Sequence, residues 1–458
     1  MTAVSLIDHV ARDLPIWTAV RHVLAPYGHG IQIERLQFIN DGRRYNFFER
    51  TRPEADLLVT PSYNVRRMST QLARASRLGA RLVVAHSEQI IPEGLYAEKL
   101  NAEDRAKARR DVEAHLVWGP EFGRAVVEVG GADPENVFIV GNPKVDLAAR
   151  LPPHKADEGR PMVLFVSDFR LADYDDEAFE AFLRSYRATL KMPAANRQVR
   201  SYREKFLELA VEAAHQFPGV DVHVRPHPGE DRSPYHEALG GIENARTTGD
   251  APFTQDLQQS DLVVAFASTA VFEAFAAGIP VLNIRLGDPI AHYGFHDHLQ
   301  WSDRAELLTA VQDLERGERA QSARGQRALD ASMHVSGGSA VVRHAAALLQ
   351  IAERSRARRS FADHVRIGRA TAVAAAKAVA VPAGYVVKHR FGIDNPIWRF
   401  SEGRSERFRV GPEALTPSAI ADADAWTSEL VTGADTAALS EVRFRAEPEG
   451  TYVEVPTL

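Results

Sequence analysis

Short apolar runs that end in polar turns, each followed by an amphipathic helical stretch, recur along the first 150 residues. An apolar run of strand length leading into a 3.6-residue period is the pattern of a buried strand followed by the helix that covers it. Strands joined by such helices lie parallel, because a crossover brings the chain back to the same end of the sheet. The pattern predicts strands at Asp56–Thr60, Ala80–Ala85, His115–Trp118 and Val137–Val140, the last running into Gly141-Asn142-Pro143-Lys144. It stops over Leu151–Arg160 and restarts at Pro161–Val166, which places a domain boundary there. The second half repeats the grammar, with a helix through Tyr202 to Gln216 and strands at Val220–Val224, Asp261–Phe266 and Gly278–Ile284. A chain of 458 residues exceeds one ordinary core. The expectation is an α/β protein with two Rossmann-like domains facing a cleft, residues 1–150 and 151–350, and a C-terminal extension over 351–458.

That extension opens with the Arg-rich Arg354–Arg359 and an alanine-rich stretch from Phe361 to Val381. It reads as a crossover helix returning to the first domain, against the alternative of a segment lying on an anionic membrane surface near a lipid-linked acceptor. Residues from 411 onward are acidic, punctuated by proline and weakly periodic, so an irregular tail is expected. The chain has no cysteine, which excludes disulfides, thiolate nucleophiles and cysteine-held zinc and leaves oxygen and imidazole groups to do the chemistry. A net charge of −6 gives no basic footprint for nucleic acid. Asp8 interrupts the amino terminus too early for a signal peptide, and no run approaches a membrane span. A cytoplasmic protein is expected, with the extension as its one candidate for peripheral contact with the inner membrane face.

Ligands of open α/β sheets bind outside the carboxyl ends of the strands, so chemistry is sought there. The strand ending at Val224 runs into Arg225-Pro226-His227-Pro228-Gly229-Glu230. Two prolines stiffen this loop and offer no N–H, which leaves the Arg and His side chains as donors for a phosphate; a rigid turn with solvent-facing Arg and His reads the same residues equally well. One βα unit later comes Ala265-Phe266-Ala267-Ser268-Thr269-Ala270-Val271-Phe272-Glu273, ahead of Gly278-Ile279-Pro280-Val281-Leu282. Ser268 and Thr269 would open a helix whose N–H groups attract phosphate, and Glu273 could accept from ribose hydroxyls. Ser268 as a simple cap and Glu273 as a solvated helix face are the plainer alternatives. Two candidate anion sites in consecutive units favour the functional reading.

The stretch from Val222 to Leu282, with Arg-Pro-His-Pro, Thr-Gly-Asp ending at Asp250, and Ser-Thr-x-x-x-Glu, resembles the donor half of GT-B glycosyltransferases of bacterial surface polysaccharide synthesis. Capsule and lipopolysaccharide Kdo transferases, polysialyltransferases and CDP-glycerol polymer transferases share these elements. The resemblance implies that Arg225, His227, Ser268 and Thr269 hold the donor phosphate and that Glu273 holds its ribose. CDP-polyol enzymes carry a Thr-Asp-Tyr-Ser-Ser sequence where this chain has Ala265–Thr269, a departure from that branch. In the first domain, His86-Ser87-Glu88-Gln89 follows a strand, where polymer transferases of this type place a His-Gly or Glu-Gly element; here Gln89 replaces the glycine. Glu88 or His86 is the candidate base, with a packing role for His86 as the alternative. Asn142, Lys144, Asp168, Arg170 and Asp250 are further candidates for the cleft.

The expected function is inverting transfer of a sugar from a nucleotide-activated donor, CMP-sugar first and UDP, GDP or CDP after it, to a surface polysaccharide or glycolipid acceptor. A CDP-polyol phosphotransferase, a non-hydrolysing sugar-nucleotide epimerase and a non-catalytic nucleotide-binding module of an assembly complex are the alternatives. No cofactor and no essential metal are expected. His223 and His227, or His292, His296 and His298 beside Asp297, match a ligand set only loosely.

Overall fold

The structure is a computed structural model. It describes residues 1–7, 10–35, 55–63, 80–91, 95–152, 159–185, 194–227, 229–249, 253–288, 296, 299–318, 329, 333, 339–357, 417–431 and 433–455. The chain divides into two units: Met1–Gln89, Tyr96–Pro143 and Met333–Leu458 form the first, and Ile90–Leu95 with Lys144–Ser332 form the second.

The strands in chain order are β1 Thr2–Ile7, β2 Gly30–Arg35, β3 Leu57–Thr60, β4 Arg81–Ala85, β5 Ala114–Val117, β6 Val137–Ile139, β7 Met162–Val166, β8 Asp221–Arg225, β9 Ala245–Thr247, β10 Leu262–Ala265, β11 Val281–Ile284, β12 Trp301–Ser302, β13 Arg443–Glu447 and β14 Gly450–Glu454. In the first unit the sheet order is β13-β14-β6-β5-β4-β3-β1-β2, parallel except at the β13–β14 hairpin. The expected strands are all present to within a few residues, and β1 joins them. Its Thr-Ala-Val-Ser-Leu-Ile run is buried almost throughout and pairs with β2 and β3.

Helix Ala340–Ala357 carries the chain back onto the first unit. Its Arg343, 1% exposed, donates from Nε to the Val140 carbonyl at 2.9 Å. The return thus falls earlier than the alanine-rich stretch from 361 to 381, which lies outside the described residues. The tail differs from the irregular chain expected. Pro417–Leu430 is a helix whose Asp424 pairs with Arg21 of helix Val10–Leu24, and β14 extends the first sheet alongside β6. No helix among the described residues is long and apolar enough to cross a membrane.

The second unit's sheet runs β12-β11-β10-β7-β8-β9, all parallel. Its first strand, β7, lies inside the sheet, and the strand order reverses between β7 and β10. Helix Ala195–Gln216 covers one face, burying Phe206, Ala210 and Ala213 against Phe165 and Val224. That core holds three strand ends in fixed register, namely those of β10, β7 and β8.

Candidate functional site

At the carboxyl end of β8 the sequence reading needs a correction. Arg225 closes the strand and is only 6% exposed, and its guanidinium is ion-paired with Asp256 of the following short helix. Thr248 Oγ1 donates to the same carboxylate oxygen at 3.1 Å, and the Phe253 ring centre lies 5.6 Å from the guanidinium carbon. A cation neutralised in this way locks β8 to the chain after β9. His227, two residues on, stays partly exposed. Its Nδ1 accepts from the Gly229 N–H at 3.0 Å, so the neutral ring carries its hydrogen on Nε2.

The loop after β7 supplies Asp168 and Arg170, whose Oδ1 and Nε lie 3.0 Å apart, with half of the Arg170 side chain exposed. A Cβ on Gly229 would sit 3.3 Å from Arg170 Cδ and 3.4 Å from His227 Nδ1. The arginine stem and the imidazole therefore flank one point, and the absence of a side chain at 229 lets them approach. Phe169, between Asp168 and Arg170, is buried against Phe206 and Phe266 and anchors this loop to the core.

After β10, Ala267 takes the left-handed conformation at φ 52°, which is costly for a residue with a Cβ and bends the chain sharply. Ser268 follows, 6% exposed, with its Oγ accepting from the Ala270 N–H at 3.3 Å; Thr269 is exposed. The helix begins only at Val271 and is six residues long. The hydroxyls therefore precede it rather than open it, and a helix this short adds little dipole. Glu273 sits in its first turn, partly buried. Asp250 and Pro228 lie outside the described residues. Ser268-Thr269, Asp168-Arg170 and His227 thus stand at the ends of three adjacent strands, around the reversal of strand order where α/β sheets take their ligands.

In the first unit, His86 follows β4 and is 4% exposed. Its Nε2 lies 3.0 Å from Nδ1 of His115 on β5, with ring centres 5.3 Å apart and planes within 11°. A nitrogen contact this short at that centre separation means nearly coplanar rings meeting edge to edge through an N–H···N bond. Phe122 closes on the pair at 5.0 Å, and Tyr63, Lys99, Asn101 and Arg109 line the small cavity beside it. Burial holds both rings neutral. His86 falls well below its ordinary range, with His115 and Lys99 adding to the effect, and His115 falls to about 4. The structure thus gives His86 a packed place against His115, a partner the spacing alone did not suggest.

Glu88 is different, with 52% of its side chain exposed and Oε1 3.3 Å from Arg12 Nη1. Both neighbours pin it. Ser87 N–H donates to the Pro61 carbonyl at 3.0 Å, while Gln89 donates from Nε2 to the His86 carbonyl at 2.9 Å and accepts from the Trp118 N–H at 2.6 Å. Gln89 thereby fastens this loop to the end of β5. Asn142 is buried after β6 at the end of the first unit, and Lys144 begins the next stretch of the second.

No family model matches the chain, and no curated protein matches it in sequence. Among solved structures, it is similar to one assigned as a UDP-N-acetylglucosamine 2-epimerase from Listeria monocytogenes, with 16% identity over 77% of this chain and 97% of that one, at a TM-score of 0.47. It is similar also to the wall teichoic acid polymerase TagF, with 11% identity over 78% and 90% and a TM-score of 0.49. A third is the glycosyltransferase VinC in complex with dTDP, with 13% identity over 77% and 100% and a TM-score of 0.38.

Proposed function

We propose that this chain is a GT-B glycosyltransferase that moves a sugar, with inversion, from a nucleotide-activated donor to a surface polysaccharide or glycolipid acceptor. The observation that carries the reading is the set of hydrogen-bond donors around the β7–β10 reversal: Ser268, Thr269, Arg170 and His227. A leaving nucleotide gains negative charge on its phosphate as the anomeric bond breaks, and prearranged donors of this kind stabilise it. Arg170 takes the place first given to Arg225 as the cation of the set, because Arg225 is committed to Asp256. The donor phosphate rests on these groups without a metal ion, and Glu273 faces its ribose. The Glu88 carboxylate accepts the acceptor hydroxyl's proton as the new C–O bond forms; His86, buried and neutral, supports the loop that carries it. A CMP-sugar is the first candidate donor.

Thermal-shift and calorimetric titration with CMP-, CDP-, UDP- and GDP-sugars tests this directly. Binding of one of them, weakened tenfold or more by His227→Ala or Ser268→Ala, is the expected result; affinity untouched by either change removes the site. Glu88→Gln should leave donor affinity as it is and lower turnover by about 10²- to 10⁴-fold, the usual weight of a general base. Turnover should persist in excess chelator.

A further inference from the structure

The Arg225–Glu230 loop ends in a residue to which neither its sequence pattern nor the proposed chemistry gives a role. Glu230 is 8% exposed. Its Oε1 accepts from Ser167 Oγ at 2.9 Å, from the Phe169 N–H at 2.9 Å and from the His227 N–H at 3.1 Å; the Tyr235 hydroxyl donates to Oε2 and lies 3.0 Å from Ser167 Oγ. Ser167 and Phe169 belong to the loop after β7, which carries Asp168 and Arg170. His227 belongs to the loop after β8. One carboxylate oxygen therefore ties together the two strand-end loops whose side chains meet over Gly229.

We infer that Glu230 is a positioning residue of the donor site, setting the distance between the β7 and β8 loops and so the placement of Arg170 and His227 on a donor phosphate. The inference rests on reading that site as a nucleotide site. Three features support it. Four donors, Ser167 Oγ, the Phe169 and His227 N–H groups and the Tyr235 hydroxyl, converge on the carboxylate, so the residue works as an acceptor of the right reach. A second carboxylate repeats the tie further out, since Asp173, on the β7 side, accepts from the Asp231 N–H at 2.8 Å and pairs with Arg203. Burial also pushes the Glu230 carboxyl above its ordinary range, with the Asp168 charge adding to the effect, while its hydrogen bonds pull it back.

Reach and charge separate in two variants. Glu230→Asp keeps the charge but is one methylene short of both loops, whereas Glu230→Gln keeps the reach and an acceptor oxygen. Calorimetric titration with CMP, CDP, UDP and GDP should show Glu230→Asp weakening the bound nucleotide tenfold or more and Glu230→Gln by much less. On a His227→Ala background, Glu230→Asp should cost clearly less than it does in the wild-type chain, because the share of its effect that runs through His227 is already gone and only the share through Arg170 is left. Equal losses for Asp and Gln, or losses that multiply with His227→Ala, overturn the inference. Should Glu230→Asp fail to fold, Ser167→Ala, which removes one of the two β7-loop bonds to Glu230, enters the same cycle with His227→Ala, and losses that multiply there again overturn the inference.

Selective ¹⁵N labelling of histidine gives a reading that needs no nucleotide, since the His227 Nδ1 resonance reports the bond from Gly229. If the wild-type chain binds none of the four nucleotides, the proposed function fails. The Glu230 inference is then decided by this resonance: displacement in the variant supports it, and an unmoved signal overturns it.

Discussion

A residue's chemistry follows from its partners, and Arg225 shows how far these can lie from its sequence neighbours. Arg-Pro-His-Pro at a strand end reads as an anion cradle. The Arg225 guanidinium is instead paired with Asp256, which stands 31 positions away where no local spacing announces it. Removing the cation should therefore expose a buried charge rather than only weaken a ligand. Arg225→Met is expected to cost about 3–5 kcal/mol in urea unfolding, and adding Asp256→Asn should recover much of that. A loss below about 1 kcal/mol would mean that the pair is not structurally committed. His86 was equally opaque: a histidine at a strand end is a reasonable base until its neighbour on the next strand is known, and the bond to His115 comes from parallel register rather than from sequence spacing.

Among the elements, the long apolar strands were legible because burial on both faces forces continuous runs of Val, Leu and Ile. β13 was not. Its Arg-Phe-Arg-Ala-Glu sequence is largely exposed, as suits an edge strand, and its hairpin pairs with β6 about 300 positions earlier. The docking of that hairpin depends on a glycine in helix Pro120–Glu128. A Cβ at Gly123 would fall 2.8 Å from the Glu449 carbonyl oxygen, in the turn between β13 and β14. Gly123→Val should displace the hairpin and lower stability by about 1–3 kcal/mol, with faster amide exchange in β14 and β6 than elsewhere in the sheet. Uniform acceleration across both units would instead point to a general loss of packing. The strand ends around Ser268 were read correctly in order but not in detail. The left-handed turn at Ala267 delays the helix, and alanine gives no warning of such a turn as glycine or asparagine would.

At the scale of the whole molecule, the titratable interior sets the response to acid. His223 and His344 are buried and His115 is partly so, and each is lowered to about 4 chiefly by desolvation. An unfolded histidine titrates near 6.5, so below that pH the unfolded chain takes up protons that the native protein refuses. The stability these groups contribute is complete above pH 6.5 and is lost progressively down to about pH 4. Glu230, raised instead of lowered, works in the opposite direction but is a single group. Scanning calorimetry should find the unfolding temperature falling steadily between pH 6.5 and 4; a flat profile there would contradict the burial of these rings. The interleaving of the two units has a further consequence, in the order in which they can be made. Nearly all of the second unit is one continuous stretch, Lys144–Ser332, whereas the first sheet takes its last strand from residues 450–454. A chain emerging from the ribosome can complete the later unit while the earlier one still lacks β14. Until residues 443–454 have emerged, β6 presents an unpaired edge to any neighbouring nascent chain, so this interval is when the protein is most exposed to misassembly.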